Sequence, residues 1–197
     1  MADQPLNPLQ ESGISADIVS KMYSPFLYEL TKAKPLTRWG ILVLDNQRRF
    51  SGPQGALTKF VQTLCLAGDD YGMKIDRTPV VTYGNPNAPQ QTINQSCDEL
   101  YQKIGREKGG PPQLLMFIIG GRSSFTYEMV KLYADTVRGI PSQAIDGFNA
   151  QRKGGDRAYH ANLLLKVNAK IGGTTVTLQT PVSGAKIPTV CLFQIKR

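Results

Sequence analysis

The sequence predicts an α/β fold, a Rossmann-like parallel sheet of about four strands with helices on both faces. Three observations carry that expectation. Short, continuous apolar runs recur along the chain, as in strands buried on both faces. Stretches with apolar residues at helical spacing lie between them, so strand and helix alternate in the order that builds a parallel sheet. Glycines punctuate the ends of several of these stretches.

The elements follow in order. Residues 1–36 carry several prolines and one short helix candidate, Ser15–Met22, and read as a linker or arm ending in Lys34-Pro35-Leu36. The apolar run Arg38–Leu44 is the first strand. In the next segment, 55–67, Leu57, Phe60, Val61 and Leu64 share one helical face, and Gly68 follows. Thr78–Tyr83 is the second strand, and a loop rich in Asn, Pro and Gln leads to a helix over about 92–107. Gln113–Ile119 is the strongest strand signal. A helix over 124–138, a short strand Ser142–Ile145 and a last helix over 156–171, closed by Gly172-Gly173, complete the pattern.

Charge is unevenly placed. The net charge is +8, yet residues 1–104 hold ten Lys/Arg and ten Asp/Glu, whereas residues 105–197 hold thirteen and five. A basic half joined to a neutral half suits a localised anionic partner, and equally a basic surface with no ligand. No run of about 18 apolar residues is present, which excludes a membrane-spanning helix. The first residues lack a secretory pattern, so the Asn94-Gln95-Ser96 sequon is expected to go unused. Three scattered cysteines, Cys65, Cys97 and Cys191, fit neither a disulfide framework nor a zinc site. A reducing compartment is expected, the cytoplasm or also the nucleus.

Parallel sheets of this kind bind ligands beyond the carboxyl ends of their strands, often against helix N-termini. That rule directs attention to Gly120-Gly121-Arg122-Ser123-Ser124-Phe125-Thr126-Tyr127. Its backbone N–H groups could hold an anion, or the glycines could serve only the turn; neither a P-loop nor a GxGxxG pattern is present. Tyr127 and Lys131 lie four apart on one helical face. They are suited to stacking on a base and reaching a phosphate, or to packing and solvation. Lys166 and Lys170 repeat the spacing, and two ammonium groups so placed repel unless an anion lies between them. Lysines near a helix C-terminus also have a plain explanation in the helix dipole. Gln143 could hold a phosphate oxygen or a base edge, or simply face solvent. Enzyme chemistry is poorly supplied: His160 is the sole histidine, no GxSxG frames a serine, and the acidic pairs lie in the neutral half. No catalytic residue, metal or cofactor is expected.

The string QLLMFIIGGRSSFTYEMVKLYADTVRGIPSQAIDGFNAQR, followed by HANLLLKVNAKIGG, resembles the MID domain of eukaryotic Argonautes. Similarity is weaker upstream, at Trp39-Gly40-Ile41-Leu42-Val43 and Gly72-Met73, and covers roughly residues 36–175. The resemblance implies a MID domain over 37–173 and an extension over 174–197 toward a PIWI domain that the chain does not reach. It implies recognition of the 5′-monophosphate of a small guide RNA by Tyr127, Lys131, Gln143, Lys166 and Lys170. Gly120, Gly121, Arg122, Ser123, Ser124, Phe125 and Thr126 would form the loop that reads the first base, with U or A preferred. Asn149 and Gln151 match positions near the family pocket. The Gly120-Gly121-Arg122 loop is one residue longer than the common animal form, and this departure suggests a fungal protein. The implied partners are a guide RNA and, in an intact Argonaute, the PAZ and PIWI domains; a monomer that binds without cleaving is expected. Phosphate or sulfate from buffer should fit the same pocket. The rival readings are a small nucleotide hydrolase or transferase built on the Gly120 loop, and a protein-interaction domain with a basic face.

Overall fold

The structure, a computed structural model, describes residues 30–45, 50, 55–121 and 124–175. Four strands form one sheet: β1 (Trp39–Leu44), β2 (Val80–Tyr83), β3 (Leu114–Ile119) and β4 (Ser142–Asp146). Their order is β2-β1-β3-β4 and every pairing is parallel. The chain therefore winds one way from β1 to β2 and the other way through β3 to β4, the doubly wound arrangement expected.

Among the described residues, five α-helices cover the faces: α1 (Ala56–Asp70), α2 (Gln90–Lys108), α3 (Ser124–Leu132), α4 (Gly147–Arg152) and α5 (Arg157–Lys170). Alternation along β1 and β3 sorts their side chains between two cores. Trp39, Ile41, Val43, Leu114, Met116 and Ile118 face the core that holds Phe60 and Leu64 of α1 and Leu163 and Leu164 of α5. Leu42, Leu44, Leu115, Phe117 and Ile119 face Ile93, Leu100 and Ile104 of α2 and Val130 of α3. Every residue of β1 and β3 is buried, which is why both read as unbroken apolar runs. Gly40 is required on β1, because a Cβ there would stand 2.7 Å from the Val80 carbonyl oxygen and 2.8 Å from the side chains of Leu100 and Ile104.

The helix expected over 124–138 changes character midway. After α3, Tyr133–Arg138 is wound as a π-helix that ends at Gly139. The wider turn accompanies a polar lock on α2: Tyr133 donates to the Asp98 carboxylate, Arg138 pairs with the same carboxylate, and its guanidinium stacks 4.4 Å over the Tyr101 ring. Burial alone would push the Asp98 carboxyl up; the Arg138 and Tyr133 hydrogen bonds outweigh it and hold it below the usual range. Helix α4 is an addition to the expected elements. Its sequence signal is a single cap, the Asp146 carboxylate accepting from the Asn149 N–H at 2.9 Å.

Residues 30–36, assigned by sequence to the arm, are packed onto the sheet domain. Leu30 and Leu36 are buried, Lys32 bridges Thr174, and Leu36 bridges Ile75. Asn168, fully buried on α5, holds this strap by accepting from the Lys34 N–H and donating to the Lys32 carbonyl. The Ser15–Met22 helix, Cys191 and residues 176–197 lie outside the described residues.

Candidate anion site at the amino end of the edge strand

Three of the five predicted phosphate ligands converge on the first two residues of β4. Lys131, two turns into α3, donates from Nζ to the Ser142 hydroxyl at 2.8 Å. Lys170, the last residue of α5, donates from Nζ to the Ser142 carbonyl at 2.7 Å and to Gln143 Oε1 at 2.8 Å. Gln143 completes the chain by donating from Nε2 to the Ala144 carbonyl at 2.8 Å. Helices α3 and α5 both run antiparallel to the strands, so their late residues arrive at the strands' amino ends. That geometry joins two lysines from distant parts of the sequence.

Lys166 stands exposed one turn before Lys170 and acts on it through its charge. The Lys170 stem is exposed, but its ammonium is tucked against β4. Burial first, and repulsion from Lys131 and Lys166 in addition, lower its pKa from the ordinary lysine value, with Asp135 opposing. An anion placed among these ammonium groups would relieve the repulsion. Asp135 pairs with Lys131 at 3.0 Å, one turn along the helix.

The loop after β3 crowns the opposite end of the sheet. Gly120 lies against Asp45, with an added Cβ 2.6 Å from the carboxylate, and Gly121 has φ +67°, a conformation that favours glycine. Arg122 and Ser123 lie outside the described residues, and Ser124 is described only in its backbone. Phe125 and Tyr127 are half exposed, at 50% and 49%. Thr126 is buried, its hydroxyl donating to the Pro86 carbonyl at 3.2 Å, so only its backbone faces the loop. Asn149 and Gln151 sit on α4, past the carboxyl end of β4. Four residue steps along β4 separate that end from Ser142, about 13 Å at the usual strand rise.

The general rule for parallel sheets therefore locates the loop but not the lysine group. Tyr127, one turn before Lys131, lies between the two. Sequence reasoning missed Ser142, because a serine at a strand start carries no signal until two distant lysines point to it. It also missed Asp135, which looks like any helix-face carboxylate.

The match to known proteins gives the fold its class. The family model described as "Piwi domain" matches residues 114–192, from β3 past the end of the described residues. The Argonaute of Schizosaccharomyces pombe is 32% identical over 163 residues, which is 80% of this chain and 18% of that protein. The MID domain of Arabidopsis thaliana AGO5 superimposes with a TM-score of 0.60 at 20% identity, covering 76% of this chain and 99% of that one. The Kluyveromyces polysporus Argonaute, solved with a guide RNA, superimposes with a TM-score of 0.60 at 17% identity, over 77% of this chain and 17% of that one. The fold is that of a MID domain. The chain is similar to Argonautes over most of its length and spans less than a fifth of the S. pombe relative's length.

Proposed function

We propose that this chain anchors the 5′ end of a small guide RNA, holding the 5′-monophosphate and first nucleotide without cutting any strand. The convergence of Lys131 and Lys170 on Ser142, with Gln143 accepting from Lys170, carries the reading. A phosphate at that point would take charge-assisted hydrogen bonds from two ammonium groups, with Lys166 adding its charge, and such bonds are about twice as strong as neutral ones. The half-exposed Tyr127 ring, on the same helix face as Lys131, is placed to stack on the first base, worth roughly 1–3 kcal/mol. The glycine-led loop beyond β3 offers backbone groups to the base edge, with U or A preferred. Support comes from the similarity to Argonautes and from the guide RNA present in the Kluyveromyces polysporus structure. Cleavage in this reading belongs to a PIWI domain, and the described groups at the site are lysines, a serine, an amide and the single Asp135 carboxylate.

Titration with UMP, AMP, CMP, GMP and unphosphorylated uridine tests it. Micromolar or weaker binding that requires the phosphate, with UMP or AMP ahead, is expected. Equal binding of uridine and UMP, or no response by a folded sample, would overturn the reading.

A further inference from the structure

The lysine group contains an anion of its own. Asp135 Oδ1 lies 3.0 Å from Lys131 Nζ, and its side chain is 55% exposed, so it can swing away at little cost in packing. The second described partner of Lys131 is the Ser142 hydroxyl at 2.8 Å. Lys131 and Lys166 repel Lys170 at the start of β4, while Asp135 offsets that repulsion. One carboxylate thus acts on two ammonium groups, Lys131 by direct pairing and Lys170 through its charge. The other carboxylate described nearby on this helix, Glu128, is exposed and precedes Lys131 by three residues.

We propose that Asp135 is the resident counter-anion of the lysine group: it neutralises and positions Lys131 in the free domain, and an incoming phosphate displaces it. The inference rests on the phosphate-anchoring reading of the same residues. Asp135 is a positioning residue here and touches no ligand. Its cost to binding is physical. A phosphate must break the Asp135–Lys131 pair, and a carboxylate left beside a bound dianion repels it. Its benefit is that the empty site stays folded with its lysines aimed inward. Because the pair is partly exposed, it is screened by salt, and the competition should fade as ionic strength rises.

Calorimetric titration of the 197-residue chain with UMP, inorganic phosphate and uridine, at low and at raised salt, provides the test. Asp135→Asn should bind UMP and inorganic phosphate about three- to tenfold more tightly at low salt, and uridine no differently. Raised salt should shrink the gain, and in a Lys131→Gln background only the smaller part due to direct repulsion should remain. Thermal unfolding of the unliganded Asp135→Asn chain should occur at a lower temperature than for the parent. Asp135→Ser serves as a second variant should the asparagine form fold poorly. Unchanged or weaker UMP binding in both variants, with Lys131 intact, overturns the proposal. Failure of the anchoring reading itself looks different: Lys131→Gln alone would leave UMP binding unaltered.

Discussion

Ser142→Ala isolates one contact in the lysine group. The substitution removes the hydroxyl that receives Lys131 at 2.8 Å and leaves the carbonyl that receives Lys170 at 2.7 Å. Ser142 is 2% exposed, and alanine fits the space the serine fills, so no cavity larger than an oxygen atom results. A hydrogen bond to a charged group contributes about 1.5–3 kcal/mol. Lys131 is 27% exposed and keeps Asp135 as a partner, which brings the expected loss down to about 1 kcal/mol of folding stability. The same freedom gained by Lys131 should weaken UMP binding roughly fivefold, the equivalent of about 1 kcal/mol. Urea unfolding monitored by circular dichroism gives the first number and calorimetric titration the second. If both stability and UMP affinity match the parent, Lys131 is not held on Ser142 in solution and the geometry assigned to the site is wrong. A loss of stability with unchanged affinity would show that the contact serves the fold alone.

Other outcomes follow from the same geometry. Lys131→Ala and Lys170→Ala should each weaken UMP and inorganic phosphate together, whereas Tyr127→Ala should weaken UMP more than inorganic phosphate; equal losses for Tyr127→Ala would contradict stacking. Phosphate binding should fall at alkaline pH, because Lys170 has a lowered pKa in the free domain that a bound anion would raise, so binding takes up a proton there; calorimetry in buffers of different ionisation enthalpy detects that uptake. Gly40→Ala should cost about 1–3 kcal/mol by forcing β1 away from β2 and α2, and a melting temperature equal to the parent's would refute that close approach. His160 is fully buried, with Nε2 on the Gly154 carbonyl at 3.0 Å and Nδ1 without a partner among the described residues. Burial lowers its pKa from 6.5, so the unfolded chain takes up the proton first and stability falls as pH drops below about 6.5. Chemical denaturation between about pH 7.5 and 5 should show that loss, and His160→Gln should flatten it; the same slope in both proteins would assign the effect to other groups.

Much of the fold is legible in local pattern. The runs WGILVL and LLMFII read as strands covered on both faces, since every residue in them is apolar or glycine and each is too short for a buried helix. Helical spacing locates α1, α2 and α5 to within a few residues at each end. The i,i+4 spacing of Tyr127 with Lys131, and of Lys166 with Lys170, is enough to put each pair on one face of a helix. Short-range periodicity reports burial and side-chain direction because backbone geometry repeats over a few residues.

What periodicity does not carry is the meeting of distant elements. That Lys131 and Lys170 point at one serine depends on α3 and α5 both crossing back to the amino end of β4. That Thr126 turns inward depends on the Pro86 carbonyl, 40 residues away. The π-helical turn depends on Asp98 and Tyr101 of α2, and the placement of Asp135 beside Lys131 on the winding that precedes it. Sequence alone determined the α/β class, the strand set and the basic character of the second half. The end of the sheet at which the lysines gather, and the serine and carboxylate that hold them, were decided by tertiary structure, because long-range contacts fix where a side chain ends.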